Sequence, residues 1–411
     1  MNNNNYMRKR QRTGDNNNAS NNSSSSSSSA SSSSLSNEAI QEQYRHGRKK
    51  VFVYLQQCGG LRHYELKKDK KTGHINTKFM IGKGTYGQVF FVKDIRPNTD
   101  SKYKYCALKK IFFHNSNDGF PKSSIREISL LRKIDHPSIV KLLDVVVGKK
   151  KQDGVYLAFE YCPNDLGRIL KTHGKVSPFK PPHIKRIMLS LCEGIEYLHR
   201  HFIMHRDLKA TNILYTTNGE VKIADFGMAR VYTKPHGKYT PKVVTMWYRS
   251  PEVLLGTKEY DEKCDIWSLG CMFGELIKGD GIIKGEKELD QMIKLIKFIG
   301  KPSTDDLNEV KDYPNTKMLE NQLKKKDFGG SSSTGSSIIN GIEVFKNENK
   351  LTDETTKLLK AMLSFSGTNR ISAKECLKHP YFLTEGPKPS RPNMMPKWND
   401  KKLQAKFDEG R

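Results

Sequence analysis

Residues 205–212 read His205-Arg206-Asp207-Leu208-Lys209-Ala210-Thr211-Asn212, and residues 225–227 read Asp225-Phe226-Gly227. Two carboxylates and one amide at this spacing suit chemistry at a transferring phosphoryl group. One carboxylate accepts a hydroxyl proton, while the amide and the second carboxylate hold divalent cations.

Upstream, Gly82-Lys83-Gly84-Thr85-Tyr86-Gly87-Gln88-Val89 fits G-x-G-x-x-G-x-V, whose glycines let backbone N–H groups approach a triphosphate. A dinucleotide-binding turn has the same glycines but leads from a strand into a helix, whereas β-prone residues follow here. Lys109 falls in the next predicted strand and Glu127 in the predicted helix beyond it. A Lys109–Glu127 pair requires that helix to pack inward, which makes activity sensitive to its position. Lys209, two residues after Asp207, is suited to neutralise a γ-phosphate. His199, His201 and His205 have no accompanying carboxylate or thiolate set, so they do not read as a metal site. Ser250-Pro251-Glu252 completes an ordered set of elements whose joint occurrence is far more specific than any one.

Glycines between the short β-prone runs 79–81 and 89–92 predict a hairpin with a glycine-rich turn, and 105–112, 140–147 and 155–159 read as further strands. A weaker strand is expected at 51–55. Residues 123–134 carry Ile125, Ile128, Leu131 and Ile134 on one helical face, with Ser123 or Ser124 as N-cap. Beyond about residue 161 the pattern turns helical, over 184–199, 264–277 and 289–299. The expected fold is therefore α+β and bilobal, a small β-rich N-lobe with one helix and a larger, mainly helical C-lobe.

The 411 residues exceed one typical domain, but 1–37 are mostly Asn and Ser and cannot bury enough apolar surface to order, so a disordered tail is expected. Residues 38–74 read as a basic N-terminal extension, 324–341 as a flexible Gly/Ser insertion within the C-lobe, and 385–411 as a Pro- and Lys-rich tail. The net charge of +27 favours polyanions and acidic surfaces. It is spread over the chain, and no aromatic-interleaved platform accompanies it, so direct nucleic-acid binding is not expected. Seven cysteines without a C-x-x-C pair read as reduced core residues. With no window near the roughly 18 apolar residues of a membrane span, an intracellular protein without a membrane partner is expected.

These motifs together resemble the eukaryotic protein kinases over residues 75–384, and more narrowly the cyclin-dependent kinases. The narrower resemblance rests on Pro121-Lys122-Ser123-Ser124-Ile125-Arg126-Glu127 and on Thr240-Pro241-Lys242-Val243-Val244-Thr245-Met246-Trp247-Tyr248-Arg249. Gly119-Phe120-Pro121, residues 145–148 and residues 240–244 look most like the PISSLRE and PITSLRE kinases of the transcription-associated branch, although Lys122 and Ile125 depart from both patterns.

The resemblance implies an ATP:protein serine/threonine phosphotransferase that uses Mg2+. Its catalytic group would be Asp207, Lys209, Asn212, Lys109 and Glu127, with Asn212 and Asp225 on the metal. Around the nucleotide it implies Ile81, Gly82, Lys83, Gly84, Thr85, Tyr86, Gly87, Val89, Ala107 and Leu214. Phe159 would be the gatekeeper, Glu160 to Cys162 the hinge, and Asp165 would lie near the ribose. It further implies a cyclin docked on residues 121–127, and activation by an upstream kinase at Thr240 whose phosphate meets Arg126, Arg206 and Arg230. Thr85 and Tyr86 occupy positions of inhibitory phosphates. Val243, Val244 and Arg249 would accept a proline after the target residue, so Ser/Thr-Pro substrates are expected. The basic clusters and the resemblance to the transcription-associated branch add an expected nuclear location, with the cytoplasm as the alternative, and a role in transcription or the cell cycle. Arg370 is expected to pair with Glu252, although Ser366-Gly367 replaces the usual Asp-Pro before it.

A scaffold without turnover would be favoured by loss of Lys109, Asp207 or Asp225, and all are present. A stress- or mitogen-activated kinase carries Thr-x-Tyr in the activation segment, whereas the order here is Tyr239-Thr240. A nucleic-acid-binding protein is suggested by charge alone.

Overall fold

The computed structural model describes residues 59–68, 75–84, 87–97, 100, 103–112, 121–148, 154–232, 239, 245–324, 341–398 and 401–409. All lie in one compact unit, residues 53–411. The expected tail at 1–37, the strand at 51–55 and the Gly/Ser insertion fall outside the described residues, apart from the ends of the insertion.

The first lobe is a seven-stranded sheet: β1 Gly59–Gly60, β2 Tyr64–Glu65, β3 Met80–Gly84, β4 Gly87–Asp94, β5 Tyr105–Ile111, β6 Leu142–Val147 and β7 Val155–Glu160. The order is β1-β6-β7-β5-β4-β2, with β3 paired to β4. Every residue of β7 is buried, as a continuous apolar run in mid-sheet should be. β1 and β2 come from the stretch read as a basic extension; they join β6 in parallel and β4 antiparallel. Arg96 ties this addition down by donating to the Tyr64 hydroxyl at 3.0 Å and to Asp144 at 3.2 Å.

Helix α1, Lys122–Leu131, packs under the sheet through Ile128, Leu130 and Leu131. It differs from expectation at both ends. Pro121 is the N-cap, so Ser123 and Ser124 fall inside the first turn, and the Pro121 carbonyl accepts the N–H groups of Ser124 and Ile125 at 3.0 and 3.1 Å. The helix ends at Leu131 with Arg132 as C-cap, short of Ile134.

The second lobe begins with β8 Asn164–Asp165 and α2 Leu166–His173. Helix α3, Pro181–Arg200, opens with two prolines, whose fixed φ suits a first helical turn, and buries Ile184, Met188, Leu191, Ile195 and Leu198 at helical spacing. Short strands β9 Ile203–Met204, β10 Ile213–Tyr215, β11 Val221–Ile223 and β12 Arg230–Val231 flank the catalytic motifs. Then come α4 Pro251–Leu254, α5 Lys263–Lys278 and α6 Glu288–Ile299. Helices α7 to α12 are Thr304–Glu309, Thr316–Leu323, Gly341–Glu348, Asp353–Met362, Ala373–Cys376 and Pro380–Leu383; α13, Lys401–Asp408, follows. Helix α5 is buried nearly all round, which places it in the centre of the lobe.

Of the seven cysteines, the six that are described carry no disulfide, and all but Cys162 are buried. No helix among the described residues is long and apolar enough to cross a membrane.

Candidate active site

Between the lobes lies a cavity of about 540 Å3 whose walls draw on both. The small lobe supplies the hairpin β3–β4, with Ile81, Gly82, Lys83, Gly87 and Val89 on the wall. Gly87 is required here because a Cβ would sit 2.1 Å from the carbonyl oxygen of Lys110 on the neighbouring strand β5. Gly84 ends β3, and Thr85 and Tyr86 lie outside the described residues. Ala107 and Lys109 on β5 form the roof, and Phe159, Glu160 and Cys162 the back of the connection between lobes. Leu214 and Asp165 close the floor. One Asp165 oxygen caps α2 by accepting the Arg168 N–H at 2.8 Å. The Glu160 carboxylate is engaged elsewhere, accepting the Lys141 N–H at 2.8 Å with Lys222 Nζ at 3.6 Å. Val140, Asn164, Arg168 and Ala224 also line the cavity and were not expected.

Lys109 reaches across the roof. Its Nζ lies 2.7 Å from Glu127 Oε1 on α1 and 3.3 Å from Asp225 Oδ1. Burial opposes charge on Lys109, but these two carboxylates outweigh it and hold its pKa above the ordinary value. Burial likewise pushes the Asp225 carboxyl up, and the cationic Lys109, with His205 and Lys209 beyond, reverses that and holds it below the usual range. The Lys109–Glu127 pair forms because α1 packs on the Phe226–Met228 turn, where the second acidic motif lies.

On the floor, Asp207 Oδ2 accepts from Lys209 Nζ at 2.8 Å and from Asn212 Nδ2 at 2.9 Å. Asn212 Nδ2 also donates to the Asp207 carbonyl at 2.8 Å. Both amide hydrogens are thereby directed at Asp207, which fixes the side chain's orientation and leaves its oxygen as the acceptor for a cation. An ionised Asp225 with an Asn212 oxygen is a donor set suited to Mg2+, which takes few protein ligands and completes its shell with substrate phosphates. Among the described residues no cluster of three or more His, Cys, Asp or Glu side chains is placed to hold a metal.

The loop carrying Asp207 is held in a strained shape. Arg206 and Asp225 both have φ of 66°, in the left-handed region. Asp265, on α5 and 1% exposed, over-determines this conformation. It accepts the backbone N–H of His205 at 2.9 Å and of Arg206 at 2.8 Å, while His199 Nε2 sits 3.0 Å away. His205 Nε2 donates to the Ala224 carbonyl at 3.0 Å and its ring meets Phe226 edge-on, joining the two motifs. Neither Asp265 nor His199 was picked out as functional. The available signal was a carboxylate inside the apolar run at 264–273, where only a satisfied acid can be buried.

Arg206 is 1% exposed; its Nε donates to the Met228 carbonyl at 3.0 Å and its Nη1 to the Tyr260 hydroxyl at 2.8 Å. Nη2 has no hydrogen-bond partner among the described residues. Arg230 lies on β12 opposite Met204, and Arg126 on α1. Thr240, Val243 and Val244 lie outside the described residues. Arg249 donates to Glu288 at 3.0 Å. The expected Arg370–Glu252 pair is present and bidentate, at 2.8 and 2.9 Å. Ser366, in place of the usual acid, accepts the Asn369 N–H and donates to Glu309, so the local turn is still closed.

A sequence model described as the protein kinase domain matches residues 75–382. The chain belongs to the protein kinase family. It is 39% identical over 319 residues to a probable cyclin-dependent kinase 10 of Dictyostelium discoideum, covering 77% of this chain and 81% of that one. It is 38% identical over 336 residues to cyclin-dependent kinase 11B of Rattus norvegicus, covering 80% and 70%. Among solved structures, the yeast RNA Pol II CTD kinase CTDK-1 complex matches with a TM-score of 0.63 and 33% identity, over 74% of this chain and 92% of that one. The kinase is thus a protein serine/threonine kinase of the cyclin-dependent group, with the bilobal fold expected from its motifs.

Proposed function

We propose that this kinase moves the γ-phosphoryl group of ATP onto Ser or Thr hydroxyls followed by Pro, in the nucleus, under control of a cyclin and of phosphorylation at Thr240. The observation that carries the reading is the facing of Asp207, Lys209, Asn212 and Asp225 on the large-lobe side toward Lys109 and Glu127 on the small-lobe side of one cavity. Ile81, Val89, Ala107 and Leu214 offer apolar walls for a purine, with Phe159 to Cys162 at its edge and Asp165 beside the ribose.

Asp207 accepts the proton of the substrate hydroxyl as that oxygen bonds to the γ-phosphorus. The bond from phosphorus to the ADP oxygen breaks, leaving ADP and a phosphorylated side chain. Lys109, oriented by Glu127, steadies the non-transferring phosphates, and Lys209 meets charge on the moving group. Asn212 and Asp225 would hold Mg2+, which when bound neutralises phosphate charge.

A cyclin on residues 121–127 would govern Glu127 directly, since that residue lies in the same helix. Phosphorylation of Thr240 by an upstream kinase fits the buried, unsatisfied Nη2 of Arg206. Tyr239, its chain neighbour, has its ring 5.6 Å from the same guanidinium. Arg126 and Arg230 would join Arg206 at that phosphate, and Thr85 and Tyr86 would carry inhibitory ones. A place in transcription, and with it nuclear residence, is supported by the likeness to the solved RNA Pol II CTD kinase complex.

The test uses the purified chain with a captured cyclin, ATP, Mg2+ and paired peptides ending in Ser-Pro or Ser-Ala. Transfer to the proline set is expected; equal labelling of both sets would contradict the substrate reading.

A further inference from the structure

The residues after α12 cross from one lobe to the other. On the large lobe, Met395 is buried, and it packs so closely over Gly219 that a Cβ there would lie 2.4 Å from its own. The Tyr215 hydroxyl donates to the Pro396 carbonyl at 2.7 Å. The Trp398 ring meets Tyr215 at 5.2 Å and Phe179 at 5.4 Å, both edge-on.

Helix α13 then lies on the small lobe. Phe407 is 0% exposed, edge-on to Phe79 at 5.0 Å and to Phe91 at 5.3 Å, with Lys67 Nζ 4.9 Å from its ring centroid. Asp408 accepts from Lys93 Nζ at 2.9 Å and from the Tyr105 hydroxyl at 2.5 Å. Three residues of chain from Trp398 to Lys401 reach at most about 11 Å, so the two anchorages are tied by a short link.

The cavity wall is built on these anchorages. Ile81 and Tyr161, both lining it, pack against the Phe79–Phe91–Phe407 cluster. Asn164, also lining it, donates from Nδ2 to the Trp398 carbonyl at 3.3 Å. Phe79 immediately precedes β3, the first strand of the glycine hairpin. A protein interior transmits a local void to its neighbours because it is close-packed.

We propose that residues 395–398 together with helix α13 form a strap that sets nucleotide affinity, with Phe407 as a positioning residue acting through Phe79, Ile81 and Tyr161. This rests on reading the cavity as the nucleotide site. Release of α13 frees the base of the hairpin and the edge of the purine slot, while Asp207, Asn212 and Lys209 keep their bonds on the other lobe. Nucleotide then binds less tightly and leaves faster, and the bound complex still turns over.

The experiment uses the full chain and a fluorescent ADP analogue, measuring affinity and dissociation rate, with KM for ATP and kcat alongside. Phe407→Ala should weaken affinity about three- to tenfold, mainly through faster release. In the same variant KM should rise while kcat stays within about twofold. Phe407→Leu, which refills the pocket, should restore most of the affinity. Unchanged affinity with a lowered melting temperature makes Phe407 a packing residue only and overturns the proposal, as does a fall in kcat at constant KM. Should Phe407→Ala not fold, Asp408→Ala, at the exposed end of the helix, decides: it should shift affinity in the same direction, and no shift overturns the strap. Failure of the unsubstituted chain to bind the analogue would instead refute the nucleotide-site reading itself.

Discussion

Asp265→Asn is a nearly isosteric change that should disable the catalytic loop. The carboxylate is buried, and its Oδ2 accepts from both the His205 N–H and His199 Nε2, while Oδ1 accepts from the Arg206 N–H. An amide retains a single acceptor oxygen. Keeping it at Oδ2 preserves two bonds in weakened, neutral form and turns an NH2 group on the Arg206 N–H. Hydrogen bonds to charged groups contribute about 1.5–3 kcal/mol each, so one lost bond, two weakened ones and a facing donor pair cost about 3–5 kcal/mol. The loss falls on Arg206, whose left-handed backbone already stores about 1–3 kcal/mol and would relax once released. Asp207 is the next residue. A displacement of about 1 Å there lowers kcat about a hundredfold. KM for ATP should change little, because Lys109, Ile81 and the connection between lobes are untouched. Steady-state kinetics and a thermal melt on the same preparation check this. A variant that melts lower yet keeps its kcat would refute the claim that Asp265 holds the loop.

Glu252→Gln should destabilise the large lobe by about 3–5 kcal/mol by stranding the wholly buried Arg370, read as a lower urea midpoint. Burial pushes the Glu252 and Asp265 carboxyls up, but Arg370 and His199 respectively outweigh it and hold both below the usual carboxylate range. The stability they add is thus present above about pH 4 and lost as the pH falls through their lowered folded values, which an acid titration of the melting temperature should show. Glu275 has the opposite sign: burial raises its pKa from 4.5 to about 7, against a bond from the Tyr248 hydroxyl. Its contribution is complete below about pH 4.5 and lost as the pH rises through about 7, about 3 kcal/mol in all. Glu275→Gln should flatten that slope, and an unchanged slope would show that Glu275 is not its source.

The parts of the site that reduce to local chemistry were legible without coordinates. Lys109 and Glu127 lie about 80 or more residues before Asp207, Asn212 and Asp225, but all five sit in short motifs with their own turn, strand or helix, and the motif order implied their meeting. The Arg370–Glu252 pair was legible for the same reason, even with Ser366 in the neighbouring turn. Other features depend on tertiary partners. Asp265 looked like one acid in an apolar helix until two loop N–H groups were seen to converge on it. Gly59, Gly60, Tyr64 and Glu65 carry too little β-pattern to announce strands, because their pairing is supplied by β6 and β4. Phe407 stood in a Lys-rich tail with no apolar periodicity of its own, and its burial comes from Phe79 and Phe91, more than 300 residues earlier. The helix starts earlier than the serines suggest because Pro121 takes the N-cap position and Lys122 is already helical, which leaves Ser123 and Ser124 inside the first turn.

Asp207→Ala tests the central claim most directly. A general base contributes about 10²–10⁴ in rate, so phosphoryl transfer to a Ser-Pro peptide should fall by at least about a hundredfold. ADP-analogue affinity should stay unchanged, since the walls read as holding the nucleotide, Ile81, Val89, Ala107, Phe159 to Cys162, Asp165 and Leu214, do not include Asp207. A variant that binds nucleotide and transfers phosphate at the unsubstituted rate would contradict the assignment of Asp207 and the account of the site built on it.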